Sequence, residues 1–445
     1  MVNGWELAKY CEIDKYASRS YSAIHGVSEE KNMWDITKVD VKEIPDCTLI
    51  CGGSPCQDFS IAGKMAGMDW VCEECGTKYN PISIDYRERN TSPRCQKCGS
   101  QKIQKTRSSL LVEYLRIVEA KRPKLILYEN VKNILSTGVS HNFRETFDKF
   151  VHELESYGYV VKWAILNAKD YGVPQNRARL YLVGVQKEYY KDWEFPKSCA
   201  EKVTLQEVIE ETVESKYYLK QTLLEKFVEA DDFNTVLNAL KGNTVCAVDK
   251  TNAKHHVREI ANCITTREDR GLSKRSAEGT AIVYGKEIHS TDGVTIPTVK
   301  IDTTAISVRK LTPKECFRLF GFTDEDYEKV RAVGMSDAQM YKQTGNSIVV
   351  DVVYEILCTL RQAMPELFAD MKVVSLFSGI GAFEKALTKL YSTEVVKEDV
   401  QSKKAQMTLI VDDIYNNRKK RIYTVAAPTI RSARSGLKVC TLTEV

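Results

Sequence analysis

The feature that most constrains the fold is a regular alternation of strand-like and helix-like segments over residues 1–185 of a 445-residue chain. Short apolar runs such as CTLIC at 47–51 and KLILY at 124–128 predict buried strands, because both are bounded by polar or turn residues. Strands that alternate with helices pack as a parallel sheet covered by helices. The sequence therefore predicts an α/β fold. Further strands are predicted at 6–13, 159–166, 180–185 and 372–377, and helices at 110–120, 143–157, 312–320 and 347–362.

The same alternation suggests how the chain is organised. We expect residues 1–185 to form the first part of a large domain, interrupted by an insert at about 71–106. Residues 186–305 are polar and rich in turns, which predicts a smaller domain, and residues 306–390 close the large one. Residues 391–445 are expected to be a basic linker and tail, since 414–443 hold seven Lys or Arg and no acid.

Composition narrows the class of protein. The chain is 43% hydrophobic and 28% charged, which is typical of a soluble globular protein. No apolar run is long enough to cross a bilayer, and MVNGWELAKY does not resemble a secretory signal, so we expect the cytosol. Fourteen cysteines in a reducing compartment indicate metal binding or catalysis rather than disulfides.

Four of these cysteines form two CxxCG knuckles, separated by nineteen residues within the predicted insert. Paired CxxC motifs at this spacing are typical of a zinc ribbon, in which four thiolates surround the ion. The insert also has eight basic and four acidic residues between positions 72 and 107, so it could contact DNA or serve only as a structural clip. The predicted zinc ligands are Cys72, Cys75, Cys95 and Cys98.

Four polar residues lie next to the ends of predicted strands. Cys56 follows a glycine-rich turn and is either a nucleophile or a buried structural cysteine. Glu129 ends an apolar strand and is either a proton donor to a ring nitrogen or an acid at a helix N-terminus. Arg177 and Arg179 alternate, so they point to one side and either bind a carbonyl or phosphate or lie on the surface. The first two positions could face one cleft at the carboxyl edge of the sheet.

Three further motifs favour a nucleotide-like ligand. FSGIG at 377–381 is a glycine turn between a predicted strand and a helix, which lets a ligand approach the backbone closely. CEID at 11–14 supplies an acid at the end of another strand, suited to a ribose hydroxyl. WDIT at 34–37 supplies a further acid, suited to an adenine amino group. A single GxG motif is weak, and the three together are more specific.

Six segments together resemble the motif set of the DNA (cytosine-5) methyltransferases: PCQDFSIAGK, ENVKNIL, QNRARLYLVGV, RKLTPKECFRLFGF, TGNSIVVDVV and VVSLFSGIGAFE. The resemblance covers nearly all of the chain except the cysteine-rich insert and the tail. It implies a Rossmann-like fold of S-adenosylmethionine-dependent methyltransferases, with a mixed, mostly parallel sheet. It also identifies residues 186–305 as the target-recognition domain.

The resemblance further implies a mechanism. The enzyme would flip a cytosine out of the duplex, and Cys56 would attack its carbon 6. Glu129 would hydrogen-bond the ring nitrogen, Arg177 and Arg179 would hold the base carbonyl and nearby backbone, and carbon 5 would take the methyl group. Glu12 would bind the ribose and Asp35 the adenine. The residues expected around the methyl donor are Phe377, Ser378, Gly379, Ile380, Gly381, Glu12, Asp35, Ile36, Pro55, Asn346 and Ser347.

The order of the motifs departs from the family pattern. The glycine-turn segment comes first in the common arrangement, whereas here it follows TGNS. We interpret this as a circular permutation, because the chain has no other glycine turn to serve the cofactor site. The alternative is that Met371 begins a fragment of a second enzyme.

The expected partner is double-stranded DNA, bound by a monomer in the cytoplasm of a bacterial or phage-infected cell. A cognate restriction endonuclease acting on the same site would suit a protective role. Two alternatives stay open: a transfer-RNA cytosine-5 methyltransferase on the same fold, and a catalytically dead DNA-binding module.

Overall fold

The structure is a computed structural model of the whole chain, and it divides into two compact units, Met1–Leu387 and Thr388–Val445. The residues that it describes are 4–55, 69–83, 94–106, 108–137, 143–198, 202–230, 232–242, 245–251, 254–268, 279–402, 407–411 and 421–425.

A six-stranded mixed sheet forms the centre of the first unit, in the order β1-β14-β2-β6-β8-β7. The first four strands run parallel to one another, and β8 is antiparallel to both of its neighbours. The predicted α/β class is confirmed. The strands are β1 (Trp5–Cys11), β2 (Leu49–Gly52), β6 (Leu125–Val131), β7 (Tyr159–Asn167), β8 (Ala178–Gln186) and β14 (Met371–Leu376).

The late strand β14 lies in the interior of this sheet, between β1 and β2. Its buried apolar side chains fit that position, since a strand covered on both faces reads as a continuous apolar run. The N–H of Met371 donates to the carbonyl of Gly4 at 3.1 Å, so β14 and β1 begin side by side. The end of the chain thus completes a sheet that its beginning starts.

The register of the four parallel strands aligns their carboxyl ends. Cys11 pairs with Leu376, Leu376 with Gly52, and Gly52 with Tyr128. These four residues form one row across the sheet. Because neighbouring strands are about 4.8 Å apart, the row spans roughly 14 Å, and the residues that follow it face one edge.

Helices flank the sheets, and several have clear start signals. Asp14 caps α1 by accepting from the N–H of Tyr16 at 2.9 Å, and Thr312 and Glu315 form a capping box at α6. The helices are α1 (Lys15–His25), α2 (Leu111–Lys121), α3 (Arg144–Ser156), α4 (Gln221–Val228), α5 (Asn234–Gly242), α6 (Pro313–Arg318), α7 (Asp324–Ala332), α8 (Asp337–Asn346), α9 (Val350–Ala363) and α10 (Ala382–Ser402).

The main hydrophobic core lies between the sheet and the helices α2 and α3. Tyr114, Tyr128 and Phe150 meet at its centre in edge-to-face and tilted contacts, with ring centroids 5.0–6.3 Å apart, and all three are fully buried. Aromatic contacts at these distances add to the stability gained from burial. This packing fixes β6, which carries Glu129, against α2 and α3.

The region predicted as a smaller domain contains a five-stranded antiparallel sheet, in the order β10-β9-β11-β13-β12, backed by α4 and α5. A fully buried ion pair ties this sheet to α6, because Arg309 donates to both carboxylate oxygens of Glu315 at 2.7 and 2.8 Å. The sheet extends past residue 305, where we had expected the region to end. Its strands are β9 (Val245–Thr251), β10 (Lys254–Arg258), β11 (Ala281–Tyr284), β12 (Val299–Ile301) and β13 (Thr304–Lys310).

The cysteine-rich insert folds as a three-stranded sheet of β3 (Trp70–Cys72), β4 (Lys78–Tyr79) and β5 (Ile103–Gln104). Two contacts attach it to the large domain. Ile82 is buried in the main core, and the amide of Asn80 donates to the Thr146 hydroxyl on α3 at 2.9 Å.

The second unit differs from the predicted linker and tail. Residues 391–402, the start of the expected linker, continue α10, and an antiparallel pair follows with β15 (Met407–Val411) and β16 (Arg421–Val425). The error arose because this segment lacks an apolar stripe, so its sequence does not show the helical period. Within the described parts of the chain, no helix is both long and apolar enough to cross a membrane.

Candidate active site

The glycine turn after β14 contacts the predicted acid after β1. The N–H of Gly379 donates to Glu12 Oε2 at 2.9 Å, and the N–H of Asp14 donates to Glu12 Oε1 at 2.8 Å. Burial raises the pKa of Glu12, and these two hydrogen bonds oppose the rise. The structure thus brings together two motifs that are more than 360 residues apart in the chain.

The turn itself has the backbone that its glycines permit. Gly379 and Gly381 have φ values of 56° and 84°, in the left-handed region. A Cβ atom at Gly379 would meet nothing within 4 Å, so the turn faces open space, whereas one at Gly381 would overlap the His25 ring. Ser378 is anchored by its N–H, which donates to the Cys11 carbonyl at 3.1 Å. Ile380 is buried, and its carbonyl contacts His25 Nε2 at 3.1 Å.

Asn32 is a site residue that the sequence reasoning missed. Its Oδ1 accepts from the N–H groups of Glu12 at 3.0 Å and Trp34 at 2.9 Å. Its Nδ2 donates to the Glu12 carbonyl at 2.9 Å and to the Ser18 hydroxyl at 3.0 Å. A buried amide with all four hydrogen bonds made holds its neighbours in one arrangement. No motif in the sequence marks this position.

Asp35 and Ile36 follow at the same edge. Asp35 Oδ1 accepts from the hydroxyl and the N–H of Thr37 at 2.7 and 3.1 Å, and the hydroxyl bond in particular lowers the pKa of Asp35. The carboxylate is half-buried, and its Oδ2 pairs with Lys38 Nζ at 3.5 Å. The Ile36 side chain is buried in the main core, which leaves only its backbone at this edge. The Ile36 carbonyl accepts from Arg116 at 2.9 Å.

The segment that leads to Cys56 is fixed to the end of β6. The amide of Asn130 donates to the Ser54 carbonyl at 3.2 Å and to the Tyr128 hydroxyl at 2.7 Å, and that hydroxyl lies 2.7 Å from Ser54 Oγ. A Cβ atom at Gly53 would lie 3.1 Å from Glu129 Oε2. Pro55 is half-buried and ends the described segment. Cys56 itself lies outside the described residues.

Glu129 lies within β6 rather than just beyond it, because the strand continues to Val131. Its Oε1 atom is 3.4 Å from Nε of Arg179 on β8. Burial raises the pKa of Glu129, and Arg179 and Arg177 oppose the rise. The site therefore holds a carboxyl group whose protonated form is favoured relative to an exposed glutamate.

Arg177 is buried and contacts three backbone carbonyls, those of Ile264, Gly345 and Ser347, at 2.7–3.2 Å. Its guanidinium carbon lies 4.8 Å from the centre of the Phe320 ring. These contacts connect the predicted smaller domain, through Ile264, to the TGNS segment. Its Nε atom is buried with no hydrogen-bond partner among the described residues.

Cys263 is the second site residue that the sequence reasoning missed. Its sulfur accepts from Arg177 Nη1 at 3.4 Å and from Arg179 Nη2 at 3.6 Å. Burial alone would raise the pKa of Cys263, but the two arginines outweigh it and lower the pKa. The predicted smaller domain thus supplies a thiol beside the two predicted arginines.

Helix α8 contacts α1, and the residue that follows α8 contacts Arg177. Lys342 pairs with Asp14 at 2.7 Å, and Gln343 Oε1 accepts from the Ser20 hydroxyl on α1 at 3.0 Å. Asn346 is exposed at the end of the helix. Ser347 is buried and gives its carbonyl to Arg177.

The four predicted zinc ligands converge in the insert. Their sulfur atoms all lie within 4.8 Å of one another, and the Cys72–Cys98 and Cys75–Cys95 pairs are 3.5 Å apart. Four thiolates tetrahedrally bound at about 2.3 Å would have sulfur atoms about 3.8 Å apart. The donor set fits Zn²⁺.

Comparisons with known proteins agree with this geometry. The profile of the C-5 cytosine-specific DNA methylases matches residues 3–71 and 95–362. The orphan methyltransferase M.SPBetaI of Bacillus phage SPbeta is 30% identical over 411 residues, covering 79% of this chain and 91% of its own length. The type II methyltransferase M1.ScrFI of Lactococcus lactis subsp. cremoris is 30% identical over 348 residues, covering 78% and 69%.

The fold is also similar to a solved structure. The Entamoeba histolytica methyltransferase EhMeth superimposes with a TM-score of 0.50 at 16% identity, covering 80% of this chain and 89% of that chain. At this identity the likeness concerns the fold alone. Neither the glycine turn at 377–381 nor residues 72–94 of the insert fall within the family match.

Proposed function

Because the chain belongs to the C-5 cytosine-specific DNA methylase family, and is thus a DNA cytosine-5 methyltransferase, we propose how its own residues carry out the reaction. The observation that carries the proposal is the row formed by Cys11, Leu376, Gly52 and Tyr128. The segments directly after this row contain Glu12, the glycine turn, the approach to Cys56 and Glu129. One edge of the sheet therefore presents both halves of a methyl-transfer site.

The cofactor half of the site is proposed at the ends of β1 and β14. S-adenosylmethionine supplies the methyl group when it is bound there. The half-buried carboxylate of Glu12 is fixed by two backbone N–H groups and is oriented to accept from ribose hydroxyls. Asp35 is positioned to accept from the adenine amino group, and the open space at Gly379 admits the ligand close to the backbone.

The remaining residues of the cofactor half are proposed from their place in the chain. Phe377, Ser378, Ile380 and Gly381 form the turn itself, and Ile36 would contribute its backbone. Pro55 ends the segment held by Asn130, and Asn346 and Ser347 lie at and directly after the end of α8, which contacts α1.

The base half of the site is proposed at the ends of β2 and β6. The thiolate of Cys56 would bond to carbon 6 of a flipped cytosine, which makes carbon 5 nucleophilic. Carbon 5 then takes the methyl group, and S-adenosylhomocysteine is left. Carbon 5 would next lose its proton to solvent, so that the ring double bond re-forms, the carbon–sulfur bond breaks to release the Cys56 thiolate, and the ring nitrogen returns its proton to Glu129. Glu129, whose raised pKa favours a protonated carboxyl, would donate to the ring nitrogen during the attack.

The two arginines are assigned different roles. Arg179 lies 3.4 Å from Glu129, and we assign it to the base carbonyl and to the orientation of Glu129. The terminal nitrogens of Arg177 already donate to backbone carbonyls, so we assign it to holding the recognition region against the site.

The proposed DNA cleft lies between the large domain and the recognition sheet at about 186–305, which Arg177 and the Arg309–Glu315 pair connect to it. Phosphate contacts in that cleft would make binding weaken with salt. The relatives are named as orphan phage and type II methyltransferases. We therefore propose protection of cytoplasmic DNA from an endonuclease that acts on the same sequence, by a monomeric enzyme.

We further propose that the insert binds one structural Zn²⁺ through Cys72, Cys75, Cys95 and Cys98, which would hold its three short strands together. We also propose that the chain is a circular permutation of the family order. The interior position of β14 supports this, because the glycine turn follows β14 and contacts Glu12.

The nucleophile is tested with purified protein, labelled S-adenosylmethionine and duplex DNA of mixed sequence. We expect the wild type to transfer methyl groups to cytosine carbon 5 and Cys56→Ser to transfer none. Cys47→Ser is the matched control, because Cys47 precedes β2 at the opposite edge of the sheet. We expect it to retain activity.

Three outcomes would contradict the proposal. Activity in Cys56→Ser would exclude Cys56 as the nucleophile. Methylation of transfer RNA but not of DNA in a parallel reaction would favour the alternative substrate. Folded wild type that binds DNA but transfers no methyl group would favour the catalytically dead module.

A further inference from the structure

Trp34 has an unusual backbone conformation for its size. Its φ is 59°, in the left-handed region, which bulky side chains rarely adopt because Cβ crowds the backbone. Two contacts maintain it: the Trp34 N–H donates to Asn32 Oδ1 at 2.9 Å, and the Trp34 carbonyl accepts from Cys11 Sγ at 3.1 Å. The conformation is therefore imposed by neighbouring residues.

The Trp34 side chain is also exposed, with 40% of the residue accessible. An exposed indole gains little from burial, so the stability of the protein does not account for a tryptophan held in a strained conformation. Strain of this kind is usually retained at ligand sites. Exposure and strain at one residue together favour a contact with a ligand.

The position of Trp34 indicates which ligand. Asn32 Oδ1 accepts from both Glu12 and Trp34, so the residue assigned to the ribose and Trp34 are fixed to the same oxygen. Trp34 directly precedes Asp35, the residue assigned to the adenine amino group. Ile13, which follows Glu12, is 69% exposed and adds a second apolar side chain at this edge.

We propose that Trp34 is a binding residue for the methyl donor, its indole stacking on the adenine ring, and that Asn32 is the positioning residue that holds it there. The proposal rests on the cofactor half of the proposed function. Flat aromatic rings stack on one another in offset arrangements, which favours an adenine over a non-aromatic group. The amide of Asn32 fixes the backbone on either side of that stack.

The test measures the affinity of the full chain for S-adenosylhomocysteine by calorimetry, and the KM for S-adenosylmethionine and for DNA. We expect Trp34→Ala to bind about tenfold more weakly, and Trp34→Phe, which retains a ring, to stay within about threefold of the wild type. Asn32→Ala should weaken binding like Trp34→Ala. The increase is expected in the KM for the methyl donor and not in that for DNA.

Trp163→Ala is the matched control. It removes an indole of similar exposure, 36%, from β7 at the far edge of the sheet, and should leave the affinity unchanged. Quenching of tryptophan emission by the ligand should be smaller in Trp34→Phe than in the wild type. Unchanged affinity in folded Trp34→Ala would overturn the proposal.

A Glu12→Ala variant separates this proposal from the one on which it rests. If Glu12→Ala weakens binding and Trp34→Ala does not, the cofactor site stands and only the role of Trp34 is wrong. If neither variant weakens binding, the assignment of the cofactor half at the ends of β1 and β14 is wrong as well.

Discussion

Glu129 combines a catalytic assignment with a cost to stability. Its raised pKa means that ionising it is harder in the native protein than in the unfolded chain. The native state therefore binds the proton more tightly, and stability falls as the pH rises from the ordinary glutamate pKa through the raised one. A residue kept for chemistry thus makes the protein less stable at neutral pH.

We expect Glu129→Gln to lower methyl transfer by about 10²–10⁴-fold, because the amide cannot supply the proton. The same variant should be more stable than the wild type at neutral pH, and the difference should disappear as the pH falls below the ordinary glutamate range. Activity assays and urea unfolding across pH measure both effects. Glu155→Gln, on the exposed face of α3, is the control and should change neither. A less stable Glu129→Gln at neutral pH would contradict the sign of the pKa shift.

Some residues of the candidate site could be predicted from the sequence, and others could not. The contact between Glu12 and the glycine turn follows from two strand ends that share one edge, so the motifs were enough to predict it. Asn32 and Cys263 were missed because their importance lies in contacts across the fold. Asn32 joins two loops, and Cys263 meets Arg177 from 86 residues away. A single sequence contains no periodic signal for contacts of this kind.

At the scale of elements, apolar runs located the strands of the central sheet well, because buried strands have little freedom in composition. The extent of β6 was underestimated, since Glu129 and Asn130 are polar residues inside a strand. Both are accommodated by specific partners, Arg179 and Tyr128. Polar residues inside a strand are a sign of a functional site. A local sequence pattern nevertheless indicates the end of the strand at such residues.

The cysteine-rich insert is the element that depends most on a ligand. Its strands are two or three residues long, too short to be stable without further support. The tight knuckles are formed by the N–H groups of Gly76 and Gly99, which donate to Cys72 and Cys95 carbonyls at 2.9 and 2.8 Å. Binding of Zn²⁺ to four thiolates would supply the missing stability.

We expect about one Zn²⁺ per chain by elemental analysis. Cys98→Ser should lose most of it, because a three-thiolate site binds more weakly. The insert should then be cleaved by proteases while the circular dichroism of the large domain is retained. Cys358→Ser, on α9, is the control and should keep the ion. A metal-free wild type with a protease-resistant insert would show that the thiols alone suffice.

At the scale of the whole molecule, the two ends of the first unit meet in one sheet. β1 and β2 do not pair with each other, because β14 lies between them and pairs with both. Two parallel neighbours that follow each other in a chain are joined by a crossover connection, usually a helix. A helix, α10, begins at Ala382 after β14. The sheet therefore needs β14 but does not require that it come last in the chain.

This argument predicts how rearranged chains behave. A chain in which residues 371–402 precede residues 4–370 through a flexible linker should fold and retain methyl transfer within about tenfold of the natural order, since permutation preserves every strand pair. A chain ending at residue 370 should neither fold stably nor transfer methyl groups, because it loses the buried strand between β1 and β2 and the donor to Glu12. A chain ending at residue 402 is the control for truncation itself and should remain active.

If the chain ending at residue 370 were active, β14 would be dispensable, as expected if Met371 began a fragment of a second enzyme. Circular dichroism and labelled-methyl transfer on the three chains distinguish a circular permutation from a fragment of a second enzyme.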